Sequence, residues 1–126
     1  MAKQRQTIQK LKIAEYLKSV NTHPNAETVY THLKKELPTL TLATVYRNLN
    51  QMVAKGELNR LEINNEFRFD ANLTSHQHCV CKKCGAIYDA FNIKINEFAL
   101  KNLKADDFIP LGVNIIFSGY CKKCGG

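Results

Sequence analysis

Residues 41–70, TLATVYRNLNQMVAKGELNRLEINNEFRFD, change periodicity halfway along. Leu42, Val45, Leu49, Met52 and Val53 recur at helical spacing, with Thr41 placed to cap the start and Gly56 to end the last turn. Two short extended runs follow, Glu57–Ile63 and Glu66–Asp70, joined by Asn64-Asn65, a favoured tight-turn pair. The stretch therefore predicts a helix running into a β-hairpin.

Two helices are expected upstream. From Thr7 to Val20, Leu11, Ala14 and Leu17 form a stripe widened by Ile13 and Val20. His23-Pro24 interrupts it, and Asn25 is placed to cap a second helix. That helix carries Ala26, Val29, Tyr30, Leu33 and Leu37 until Pro38. Three helices and a hairpin give the winged helix-turn-helix order.

The outer face of the third helix holds Ala43, Thr44, Arg47, Asn50 and Gln51, with Tyr46 on its flank and no acid. In a winged helix this element enters the DNA major groove. Arg47 then reads guanine edges and Thr44 meets a thymine methyl or a phosphate. Lys55, Arg60 and the hairpin track the backbone, and Tyr46 touches phosphate. Charge agrees: residues 1–60 carry ten Lys/Arg against four Asp/Glu, whereas residues 61–126 carry eight against seven. Nearly all of the net +7 thus lies in the first half. A helical bundle with a merely solvated polar face is the bland alternative.

At 126 residues and 44% apolar, the chain can form one compact unit or two small lobes, each of the latter short of core. No apolar run is long enough to span a membrane. The opening MAKQRQTIQK lacks the apolar region of a secretory signal, so a cytoplasmic protein with reduced thiols is expected. The second half reads as α+β. Strands are expected at Cys79–Cys81, Ala86–Phe91 and Gly112–Tyr120, with a helix over Ile93–Leu103 capped by Asn92.

Cys81-Lys-Lys-Cys84-Gly and Cys121-Lys-Lys-Cys124-Gly are one knuckle written twice, with a glycine to permit each closing turn. Two knuckles supply the tetrahedral four-thiolate set of a structural Zn2+. Disulfides or free thiols are the competing reading. Asp70, His76, His78 and Asp89 remain as a nitrogen and oxygen set suited to Fe2+, Mn2+ or Zn2+, against the alternative of ordinary surface residues. Cys79 is expected to face the lobe's core, and His32 to lie unpartnered on the surface.

The segments HPNAETVYTHLKKELPTLTLATVYRNLNQMVAKG, FRFDANLTSHQHCVCKKCG and YCKKC together resemble the ferric uptake regulator family of bacterial metal-dependent repressors. The resemblance spans essentially the whole chain. It implies a homodimer in which residues 1–70 bind operator DNA, 71–75 form a hinge and 76–126 form a small α/β lobe for dimerisation and metal. It adds His23 to Asp70, His76, His78 and Asp89 as the regulatory site, holding Fe2+ or Mn2+. Structural zinc falls on Cys81, Cys84, Cys121 and Cys124. Three histidines with two aspartates resemble the peroxide-sensing branch, in which iron-bound peroxide leads to an oxidised His23 or His76 and release of DNA. Residues 79–126 contain no histidine, which implies one regulatory metal per chain.

Three rivals stand beside this reading. One is an iron- or zinc-responsive uptake repressor of the same fold without ligand oxidation. Another is a structural zinc module that docks on a protein. The last, a zinc deaminase, needs His-x-Glu where this chain has His76-Gln77-His78, so no enzyme is expected.

Overall fold

The computed structural model describes residues 2–125, with side chains from Ile8 onward. It has two compact units, Met1–Leu73 and Thr74–Gly126.

The N-terminal unit holds α1 (Ala2–Ser19), α2 (Ala26–Leu33), α3 (Leu42–Ala54) and the antiparallel pair β1 (Asn59–Ile63) and β2 (Glu66–Asp70). Its core gathers Ile13 and Leu17 of α1, Ala26, Val29 and Leu33 of α2, Val45, Leu49 and Met52 of α3, and Leu40, Leu58 and Phe69. Here the α1 stripe departs from expectation: Gln9, Ile13 and Leu17 are buried, while Leu11 is exposed. Two residues of offset rotate a side chain by about 200° around a helix, so Leu11 and Ile13 cannot share a face.

Caps set the other helix limits. Asn25 accepts the Thr28 N–H at 2.8 Å to begin α2, and Thr41 accepts the Thr44 N–H at 3.2 Å to begin α3. At the far end of α3 the Glu57 N–H donates to the Met52 carbonyl at 2.8 Å and Gly56 to Val53 at 3.0 Å. This pair of bonds requires the left-handed φ of +77° that Gly56 supplies. The second helix stops at Leu33, short of Pro38. A tight turn then donates from Leu37 N to the Leu33 carbonyl at 2.9 Å and leaves Leu37 packed on the core. Strand β1 begins at Asn59, not Glu57, because the glycine cap still occupies Glu57. Asn64 and Asn65 have φ of +54° and +63°, the mirror-image turn that matches strand twist.

The C-terminal unit is a three-stranded sheet in the order β4-β3-β5: β3 (Gln77–Cys81), β4 (Ile87–Ala90) and β5 (Ile116–Gly119). Strand β3 pairs antiparallel with β4 and parallel with β5. Helix α4 (Ile93–Asn102) lies between β4 and β5 in sequence, and the one-turn α5 (Lys122–Gly125) follows β5. The third strand covers four residues, much less than the apolar run 112–120 suggested. Helix α4 also differs from expectation. Its buried residue is Asn96, while Ile93 and Phe98 are exposed, and Asn92 makes no side-chain cap. Gln77 takes the capping role, as its two bonds to the Asn92 main chain show.

Candidate metal centres

Two thiol knuckles meet in the C-terminal unit. The ligand atoms of Cys81, Cys84, Cys121 and Cys124 lie within 4.8 Å of one another, with the Cys84 and Cys121 sulfurs 3.9 Å apart. Zinc–sulfur bonds of about 2.3 Å in a tetrahedron put sulfurs about 3.8 Å apart, so the set fits Zn2+. The two knuckles close differently despite their identical letters. In the first, Gly85 adopts φ +77° and donates to the Cys81 carbonyl at 3.0 Å. In the second the chain winds into α5, and Gly125 is required for space: a Cβ there would lie 2.5 Å from that of Tyr120.

Four thiols this close cannot ionise alike without a cation. The Cys84 N–H, then that of Cys121, holds Cys81 down at about 6. Hydrogen bonding to Cys121, with burial and the other thiols, pushes Cys124 up to about 12. Burial opposes ionisation of Cys121, yet its bonds from Cys124 keep it below the usual thiol value. Tyr88 is raised chiefly by its hydrogen bond to Cys121, so its hydroxyl serves the sulfur cluster. A divalent ion would stabilise all four thiolates together. The fifth cysteine, Cys79, is half-buried and registers against Tyr88 and Phe117, beside a cavity that Cys81 and Cys121 also line.

Nitrogen and oxygen donors form a second set in this unit. His76 and His78 are two residues apart, and His78 lies directly opposite Asp89 across the β3–β4 pair, so all three share one face. Both histidine Nε2 atoms approach Asp89 Oδ1, at 3.4 and 3.5 Å. The His76 Nδ1 bonds the Thr74 carbonyl, which can only accept, so this nitrogen carries the proton. In the neutral ring Nε2 is then a lone-pair acceptor pointed at a carboxylate, an arrangement that calls for a proton or a metal ion between them. Phe91 stacks on His76 with centroids 4.9 Å apart and holds the ring plane.

Within the N-terminal unit a matching pair occurs. His23, buried in the α1–α2 loop, places Nε2 3.3 Å from Asp70 Oδ2 at the end of β2. His23 has φ +55°, a left-handed conformation that costs a non-glycine residue about 1–2 kcal/mol. His32, expected to stand alone, stacks on Tyr16 at 4.1 Å.

The outer face of α3 presents Tyr46, Arg47, Asn50, Gln51 and, at its end, Lys55 to solvent. Thr44 is less available, being half-buried with its hydroxyl 2.9 Å from that of Thr41. Arg60 bonds Asn50 at 3.4 Å and lies over the Phe67 ring at 4.4 Å, so it braces the hairpin against α3. Sequence reasoning overlooked Gln77, Arg68, Tyr88 and Phe91. For Arg68 the signal existed: Glu66, Arg68 and Asp70 alternate on one side of β2.

Residues 2–118 match the model of the ferric uptake regulator family. The chain is 33% identical over 119 residues to the peroxide-responsive repressor PerR of Staphylococcus aureus (strain USA300), covering 94% of this chain and 80% of that relative. A crystal structure of the Campylobacter jejuni peroxide stress regulator superposes with a TM-score of 0.81 at 30% identity, over 98% of this chain and 93% of that one. A ferric uptake regulator from Francisella tularensis with iron gives 0.75 at 26% identity, over 92% and 90%.

Proposed function

Since the chain belongs to the ferric uptake regulator family, we propose that it is a metal-dependent, DNA-binding transcriptional repressor that senses peroxide. The observation that carries this reading is the donor set itself: histidine nitrogens turned on carboxylates at His23–Asp70 and at His76–Asp89–His78. His76, His78 and Asp89 alone would leave an iron or manganese sphere half open, and His23 with Asp70 would raise the set to five ligands. We assign all five residues to one regulatory Fe2+ or Mn2+, with Zn2+ able to compete in vitro. Similarity to a peroxide-responsive repressor and to a peroxide stress regulator supports the sensing role.

A ferrous ion held there would supply the reducing power that turns peroxide into an oxidant of a neighbouring imidazole. The residues supply the rest. Asp70 and Asp89 hold negative charge against the histidines, Thr74 fixes the His76 tautomer, and Phe91 fixes its ring. Ligands drawn from both units would set the domain angle at which two winged helices meet successive grooves, and loss of one histidine would release it. Arg47, Asn50 and Gln51 face base edges in this reading, Tyr46, Lys55 and Thr44 meet the backbone, and Arg60 supports the wing.

Exposed apolar side chains in the C-terminal unit support a homodimer. Phe98, Phe108, Ile109, Leu111 and Tyr120 are each well over half exposed, apolar surface that a second copy of the chain would cover. We assign Cys81, Cys84, Cys121 and Cys124 to a structural Zn2+, residues 1–70 to DNA, 71–75 to a hinge and 76–126 to dimerisation. The protein is a regulator rather than an enzyme, working in the cytoplasm. No helix among the described residues is long and apolar enough to cross a membrane.

Peptide mass spectrometry after brief peroxide exposure tests the reading. Iron-loaded protein should gain oxygen on the His23 or His76 peptide and lose operator binding, and manganese-loaded protein should do neither. Metal-dependent DNA binding with no added oxygen would make it a metal-uptake repressor. Absence of salt-sensitive DNA binding would leave a structural zinc module.

A further inference from the structure

We propose that Arg68 is the positioning residue for His23, and that its guanidinium fork sets regulatory-metal affinity. The inference rests on the assignment of His23 as a metal ligand. Residues 22–25 are the part of the α1–α2 loop that carries this histidine, and β2 holds every one of them. Arg68 Nε donates to the His23 carbonyl and Nη2 to the Thr22 carbonyl at 3.3 Å. The Phe69 N–H donates to the Pro24 carbonyl at 3.0 Å, and Asn25 Nδ2 donates to Glu66. Glu66 in turn lies 3.6 Å from Arg68 Nη1, so all three guanidinium nitrogens are used.

This bracing matters because His23 sits at φ +55°, which a histidine leaves readily unless its surroundings hold it. If the His23 carbonyl turned, the imidazole would swing off Asp70. A planar fork can hold two successive carbonyls at once, whereas a lysine ammonium is a single point on a flexible stem. Glu66, Arg68 and Asp70 therefore divide one task along a single strand edge. Asp70 meets the ring, Arg68 holds the main chain behind it, and Glu66 steadies both Arg68 and the cap of α2.

Charge and geometry make opposite predictions here. Arg68 is a fixed positive charge close to a site meant for a divalent cation. By Coulomb's law alone, its removal would tighten metal binding. As a brace, its removal must weaken binding.

The test measures Mn2+ binding to zinc-replete dimeric protein by electron paramagnetic resonance, at a temperature where thermal unfolding shows each variant fully folded. Arg68→Ala should bind Mn2+ roughly tenfold or more weakly, the usual scale for a residue that orients a ligand. Arg68→Lys keeps the charge but loses the fork, and should also be weakened. Structural zinc content should remain at the wild-type level in both. Unchanged or tighter binding in Arg68→Ala, or full retention in Arg68→Lys, would overturn the proposal. His23→Ala is the control on its premise: wild-type Mn2+ affinity in that variant would remove His23 from the site, and the inference with it.

Discussion

Gln77 grips the main chain on both sides of Asn92: its amide nitrogen donates to the Asn92 carbonyl at 2.8 Å, and its Oε1 accepts the Asn92 N–H at 3.0 Å. The same nitrogen donates to Asn96 Oδ1 at 2.9 Å, inside α4. A fully buried glutamine therefore joins the start of α4 to the strand that bears His78. Gln77→Leu, close in volume, would leave the buried Asn96 Oδ1 without this donor and release the Asn92 main chain, whose carbonyl keeps the Ile95 N–H at 3.0 Å. We expect a loss of about 1–3 kcal/mol, the cost of one unsatisfied buried polar group. Denaturant unfolding followed in the C-terminal unit measures it.

Cys121→Ser should abolish stoichiometric zinc and destabilise the C-terminal unit while leaving unfolding of the helical unit unchanged. Cys84 and Cys121 come from knuckles 37 residues apart, and the free energy of holding zinc between them is folding free energy of this unit. Zinc analysis beside two-probe thermal unfolding tests this. One merged transition that shifts as a whole would contradict it.

In reduced, zinc-stripped protein the thiols should titrate far apart. Cys81 ionises at about 6 and Cys124 at about 12, against 9.0 for an ordinary thiol. The sign for stability follows from linkage. Cys81, depressed on folding, contributes stability above pH 9.0 that fades as pH falls through about 6. Cys124, raised on folding, contributes below pH 9.0 and loses that contribution as pH climbs toward 12. The stripped unit should be most stable near pH 9. Ultraviolet thiolate absorbance in the folded protein should show the separated steps, which collapse together in urea.

Arg47→Ala should weaken specific operator binding by about 1–3 kcal/mol and relax preference at one base pair. Lys55→Ala should weaken specific and nonspecific DNA alike and reduce the salt slope by about one unit. Fluorescence anisotropy over a salt series separates the two. Equal loss on all sequences for Arg47→Ala would move that residue to the phosphate backbone.

The winged-helix half was legible because its signals are local. Asn25, Thr41 and Gly56 mark helix limits within a turn, and Asn64-Asn65 fixes the hairpin register. Leu11 misled because two overlapping stripes on α1 were equally apolar on paper, and only packing against α2 and α3 chose Ile13. The cysteine spacing gave four ligands but hid the difference between Gly85, needed for its φ, and Gly125, needed for lack of a Cβ. Residues that act on distant main chain, Gln77 on Asn92 and Arg68 on His23, leave no periodic trace.

The parallel pairing of β3 with β5 also fixes an order of events in folding. In the helical unit the return of β2 to residues 22–25 is nonlocal, but the packing of α2 on α3 and the hairpin closed by two residues join sequence neighbours. Such contacts form quickly because little chain entropy is lost before each begins to stabilise the next. Strand β3 must instead wait for Ile116–Gly119, with α4 and an irregular stretch in between. Both halves thus contain a nonlocal closure, and in the cysteine-bearing half it is β3 on β5, beside the four thiols. Zinc supply should govern its folding rate, while the helical half reaches its native state without it.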